Sequence, residues 1–223
     1  TLSLKLTETF GEDATEIGFD YGLTTSYGQT VSSTGTFSEN LSFIDFFGEN
    51  GGAEGEFQSP HGIAIDDSDN IYVSEIGNYR VQKFDSNYSY LFDFGSYGNG
   101  AGQFRYPNGI DIDSQGNIFV ADYSNGRVQK FNSSGNYVAR VGDSGSGDGL
   151  FYYPFGLAID DSDNIYVSEE GGAQVEKFDS NLDFLFNFGS PCCTTYPPIP
   201  DGEFEEIRGV HVDSNGYIYV IEA

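Results

Sequence analysis

The chemistry open to this chain is bounded by two histidines, His61 and His211, and two adjacent cysteines, Cys192 and Cys193, among 223 residues. Two imidazoles fall short of the three protein ligands of many catalytic zinc sites unless a carboxylate joins them, and Asp111 with His211 is the pairing that would do so. Carboxylates are abundant: 35 Asp and Glu stand against nine Lys and Arg, a formal net charge of −26. They concentrate in three turns, at Asp66, Asp67 and Asp69, at Asp111 and Asp113, and at Asp160, Asp161 and Asp163. Oxygen-rich loops suit calcium, the one cofactor the sequence suggests. Asp, Asn and Ser also organise turns through backbone hydrogen bonds, and these loops lack the spacing and terminal Glu of an EF-hand. No serine sits in a nucleophile elbow, no Gly-rich phosphate loop precedes a helix, and no carboxylate pair stands out from the acidic background. The expectation is a protein that is not an enzyme.

So acidic a chain repels phosphate backbones and anionic headgroups, and nucleic acid is excluded as an expected partner. No run approaches the ~20 apolar residues of a membrane-spanning helix, so no membrane insertion is expected. The opening TLSLKLTETF lacks the basic start and apolar block of a signal peptide. The cysteines precede TTYPPIP in a loop, where a vicinal disulfide, bridges to other subunits or a reduced intracellular pair are all open; a vicinal bridge is strained, since adjacent Cα atoms are only ~3.8 Å apart. Asn40-Leu41-Ser42, Asn87-Tyr88-Ser89 and Asn132-Ser133-Ser134 are glycosylation sequons. Cysteines and sequons together favour an extracellular or cell-surface location.

These residues are positioned by a repeat. Phe37, Phe84, Phe131 and Phe178 are evenly spaced by 47 residues, as are Gly48, Gly95, Gly142 and Gly189, and Pro60, Pro107 and Pro154. A further copy follows 53 residues on, Gly156 answering to Gly209, with CCTTYPPIP in the insertion. Each unit, such as residues 60–95, contains four short β-branched and aromatic runs separated by turn residues. They predict strands at Gly62–Asp66, Ile71–Glu75, Arg80–Phe84 and Tyr90–Phe94, an antiparallel meander too small to enclose a core. Meanders of this kind stack radially in a β-propeller.

The runs P-x-G-[IL]-x-[IV]-D, N-I-[YF]-V-[SA]-[ED] and R-V-Q-K-F closely resemble the NHL repeat, over about residues 55–223. The resemblance implies an all-β propeller of NHL-type four-stranded blades, four to five in this chain, and kinship with an amidating lyase and lactonase-type propellers that gather metal ligands around the axis. Repeats are expected near 12–48, 60–95, 107–142, 154–189 and 207–223, forming a domain 12–223 behind an N-terminal strand at 1–11. Residues 208–223 supply only two strands of a blade, and residues 29–48 two others.

Positions on which the copies agree are architectural. Glu75 with Arg80 and Asp122 with Arg127 read as acid–base pairs, whereas the third copy has Gln174 where arginine would stand, leaving Glu169 alone. Positions that differ on the innermost strand face the channel: His61, Asn108, Phe155 and Arg208 form one ring, and Ala64, Asp111, Ala158 and His211 the next. The functional expectation is an extracellular structural or adhesive subunit. Its strand Leu2, Leu4, Leu6 either closes its own blade or is donated head-to-tail into a filament, so the expected partners are copies of itself, with glycans or other surface proteins. A monomeric glycan- or peptide-binding propeller and a metal-dependent lyase- or lactonase-like enzyme are the alternatives.

Overall fold

A computed structural model describes residues 2–4, 21–24, 30–33, 47–189, 204 and 206–222. The chain forms two compact units, Thr1–Phe46 and Phe47–Ala223. The first holds β1 (Leu2–Leu4), β2 (Tyr21–Thr24) and β3 (Thr30–Ser33), with β2 antiparallel to both neighbours. Leu2 and Leu4 therefore lie on a strand paired within their own chain; Leu6 and Asn40 fall outside the described residues.

The second unit opens with β4 (Glu49–Asn50) parallel to β5 (Glu56–Phe57). Three antiparallel meanders follow. Blade one contains β6 (Pro60–Ile65), β7 (Ile71–Glu75), β8 (Arg80–Phe84) and β9 (Tyr90–Phe94). Blade two contains β10 (Pro107–Ile112), β11 (Ile118–Asp122), β12 (Arg127–Phe131) and β13 (Tyr137–Val141). Blade three contains β14 (Pro154–Ile159), β15 (Ile165–Glu169), β16 (Gln174–Phe178) and β17 (Phe184–Phe188). Then β18 (Ile207–Val212) pairs with β19 (Ile218–Glu222). Strands two to four of each blade fall where the sequence predicts them, and the first begins two residues earlier, because Pro60 pairs with Glu75 across a bulge.

Each first turn is organised by one carboxylate. Asp66 Oδ1 accepts hydrogen bonds from the N–H groups of Ser68 and Asn70, and Asp113, Asp160 and Asp213 repeat the arrangement. Lys83, Lys130 and Lys177 then reach across the sheet to Asp66, Asp113 and Asp160 at 3.3, 3.4 and 3.4 Å. Burial pushes the Asp66 carboxyl up, but hydrogen bonds from Asn70 and Ser68 and the Lys83 charge outweigh it and hold its pKa at about 2.

Apolar cores lie between blades: Val81, Phe104, Ile110 and Phe131 fill one, and Phe119, Phe151, Leu157 and Phe178 the next. The inner strands touch through backbone. A Cβ at Gly62 would lie 2.3 Å from Asn108 O, and one at Gly109 2.6 Å from Phe155 O. Gly109→Ala therefore forces adjacent blades apart, and urea denaturation is expected to show a loss of about 2–4 kcal/mol. A loss below about 0.5 kcal/mol would show that the strands yield without cost.

Candidate functional site

The residue before each of these glycines opens onto the axis. His61, Asn108, Phe155 and Arg208 line a single cavity of about 190 Å³ together with the backbone of Gly62, Gly109, Gly156 and Gly209. Ser74 Oγ holds the first two strands in register, donating to Asn108 O at 2.5 Å and accepting from Gly62 N at 2.9 Å; Ser168 Oγ accepts from Gly156 N in the third blade. The ring read from the sequence is thus brought together around one mouth.

Four chemistries meet there. The Asn108 side chain is buried, the residue being 3% exposed, and its Oδ1 accepts no hydrogen bond among the described residues. Phe155 lies 6.2 Å from the His61 ring, and the Arg208 guanidinium sits 5.2 Å from the Phe155 ring centroid. Arg208 is balanced by Glu170 at 3.1 Å and Glu206 at 3.0 Å. Partial burial holds the His61 imidazole below its ordinary 6.5, which leaves it neutral at pH 7.

Aromatic side chains extend the mouth outward. Tyr123 donates to Glu170 at 2.6 Å, stacks on Tyr153 with centroids 4.8 Å apart, and meets Phe155 edge-on at 6.1 Å. Burial, then Glu170, pushes the Tyr123 hydroxyl up to about 12, so it remains a donor. Tyr152 and Tyr153 are both about half-exposed beside it. The sequence comparison missed this rim, although Tyr106 and Tyr153, each preceding the repeat proline, are its visible signal.

The second ring behaves differently. Asp111 accepts from Ile112 N on Oδ1 and from Ile159 N on Oδ2 at 2.8 Å, so it ties blade two to blade three. Burial pushes its carboxyl up, against those two N–H groups and His211. His211 is exposed beside Tyr219.

No three His, Cys, Asp or Glu side chains are gathered for a metal among the described residues. Asp66, Asp113 and Asp160 are engaged in their own turns, Asp111 in the inter-blade tie, and Asp163 with Ser114 N and Oγ at 2.8 Å each. Asp67, Asp69 and Asp161 are exposed. The sequon residue Asn87 is exposed, whereas Asn132 Oδ1 caps its turn by accepting from Ser134 N and Asn136 N. Cys192 and Cys193 lie outside the described residues.

Meanders packed through their innermost strands are the blades of a β-propeller. The family model for the NHL repeat matches residues 57–84 and 104–131, so the chain carries NHL repeats in blades one and two of a propeller-like all-β fold. No curated protein sequence matches it significantly. Among solved structures it is similar to a streptogramin B lyase (10% identity, TM-score 0.55, covering 74% of this chain and 48% of that one). It is also similar to a protein of unknown function from Bacteroides thetaiotaomicron (16%, TM-score 0.60, 92% and 51%) and to a gluconolactonase from Xanthomonas campestris (18%, TM-score 0.52, 73% and 56%). The chain spans about half the length of the structures it matches. At these identities the likeness is one of fold. It nevertheless corrects the expectation that the protein is not an enzyme, because a lyase and a lactonase are built on this same propeller, and a scarcity of familiar catalytic motifs does not set catalysis aside.

Because the crowding at the mouth is what lowers His61, an NMR titration of its imidazole is expected to give a midpoint below 6.5, and Phe155→Ala to move it back toward 6.5. A midpoint at or above 6.5 in the unsubstituted chain would mean that the ring is fully solvated.

Proposed function

We propose that this chain is an extracellular recognition and adhesion module whose axial mouth holds a neutral, polyhydroxylated ligand, a glycan. The observation that carries the reading is Asn108. A buried acceptor without a donor costs about 1–3 kcal/mol, and a ligand hydroxyl entering the cavity relieves that cost. Phe155 offers an aromatic face to sugar C–H groups and Arg208 offers further donors. Since Glu170 and Glu206 already balance Arg208, and the chain as a whole carries −26, the site favours a neutral ligand over an anion. The exposed sequon at Asn87 and the cysteine pair support an extracellular setting.

A second reading, a structural subunit assembling with copies of itself, is supported by the outer face of β6. Ile63 and Ile65 are 64% and 62% exposed, whereas Ile110 and Leu157, which repeat Ile63, are 5% and 8% exposed because a preceding blade covers them. Under that reading a second copy covers the face, and sedimentation would show concentration-dependent association that Ile63→Asp abolishes.

Calorimetry with neutral hexasaccharides of glucose, xylose, mannose and galactose tests the first reading. At least one is expected to bind, and Asn108→Leu or Phe155→Ala to weaken it about tenfold or more without loss of β-sheet circular dichroism. Failure of all four to bind, or binding untouched by both substitutions, would move recognition away from the axis.

A further inference from the structure

Blades one and two enclose a buried cation, and blade three does not. In blade two, Arg127 donates to Asp122 Oδ2 at 2.9 Å and to the carbonyls of Asn99, Gly100 and Gln103 in the preceding loop. Gln129 completes that seat, accepting from Gly102 N and donating to Gln103 O. Arg80 and Gln82 do the same in blade one, with Glu75 as the carboxylate. In blade three the motif R-V-Q-K-F becomes Q-V-E-K-F: Gln174 replaces the arginine and Glu176 the glutamine.

The seat then holds two carboxylates and one amide. Glu176 is fully buried and Glu169 is 1% exposed. Gln174 Nε2 donates to Glu169 Oε1 at 2.7 Å and to Glu176 Oε1 at 3.2 Å. The loop before the blade is anchored on the outer oxygens, Gly149 N on Glu176 Oε2 at 3.0 Å and Tyr152 N on Glu169 Oε2 at 2.7 Å. From the other elements packed there, Asn187 on β17 donates to Gln174, and Asp148 on the loop adds negative charge toward Glu176. Among the described residues no Lys or Arg pairs with either carboxylate, and two such groups cannot both ionise in one dry seat without a cation.

We propose that blade three is latched by a proton shared between Glu169 and Glu176, and that losing this proton releases the Gly149–Tyr153 loop. With the proton present, the pair holds the N–H groups of Gly149 and Tyr152. Once both groups are ionised, their repulsion draws water into the seat and loosens the loop, which carries Tyr152 and Tyr153 to the rim of the axial mouth. The direction in pH follows from the proton count. Burial, then Glu169 and Asp148, raises the Glu176 pKa from 4.5 to about 8, so the folded chain retains a proton that the unfolded chain gives up. The latch is at full strength below about pH 4.5 and weakens as pH rises to about 8. This holds whether or not the mouth binds a glycan.

Amide hydrogen exchange, corrected for its intrinsic pH dependence, reads the latch directly, and Gly102 and Arg105, which repeat Gly149 and Tyr152 in blade two, serve as controls within the same molecule. Between pH 6 and 9, protection at Gly149 and Tyr152 is expected to fall about tenfold or more while that at Gly102 and Arg105 holds. The double variant Gln174→Arg with Glu176→Gln, which rebuilds the seat of blade two, is expected to hold protection level; Glu176→Gln alone, isosteric and uncharged, is expected to do so as well. Equal pH responses at the two loops in the unsubstituted chain, or a fall that persists in either folded variant, would overturn the proposal.

Discussion

The unit from Phe47 onward depends on how closely its innermost strands approach one another. At Gly62 and Gly109 the backbone of one blade lies where a side chain would otherwise be, against the carbonyls of Asn108 and Phe155. Those carbonyls belong to residues that line the mouth, so the backbone of Asn108 and that of Phe155 are each placed by the glycine of the blade before. Ser74 adds a hydrogen bond to the same carbonyl of Asn108. The close approach of the strands is made by backbone and glycine, so it does not depend on the side chains at the mouth, which are free to differ. An imidazole, an amide, a phenyl ring and a guanidinium can therefore stand at four equivalent positions on one scaffold.

Much of this was legible because the repeat supplies its own alignment. Agreement among copies located the strands and the acid–base pairs, and Glu75–Arg80 and Asp122–Arg127 indeed meet at 2.7 and 2.9 Å. Disagreement among copies located the mouth. What could not be read was which oxygen atoms are already engaged. Asp66 and Asp160 look alike as calcium ligands or as turn residues until the N–H groups of residues two and four positions later are seen to converge on one oxygen. The extra length of the first strand was hidden for a related reason: the bulge between Pro60 and Gly62 breaks the alternation that marks a strand in sequence. The tyrosine rim escaped notice because Tyr123 and Tyr153 come from different loops and meet only through the packing of blades two and three.

The third blade shows how two changes in a five-residue motif alter the electrostatics of an otherwise repeated core. Arginine and glutamine in blades one and two supply donors to loop carbonyls and a positive charge to the buried carboxylate. Removing one of the pair alone would strand either a charge or an acceptor, an outcome that costs more than the pair contributes. In blade three both changed together, and the amide of Gln174 spans the two acids that resulted. The loop anchors survive, since Gly149 and Tyr152 still find carboxylate oxygens. The blade keeps its geometry while exchanging a fixed cation for a removable proton.

That exchange, rather than the overall acidity, sets where the protein is sensitive to pH. A formal charge of −26 is spread over the surface, and beyond about 8 Å physiological salt screens it. Glu169 acts on Glu176 at contact distance inside a seat from which water is excluded, so a single neighbour outweighs the distant charges. The remaining ties respond elsewhere: Asp66, held to a pKa of about 2, stays ionised across the whole range in which Glu176 changes state. The Asp66 turn of blade one therefore remains fixed between mildly acid and mildly alkaline conditions. The response is confined to one blade and to the loop that carries Tyr152 and Tyr153, and the scaffold on which the mouth is built stays in place while part of its rim gains freedom.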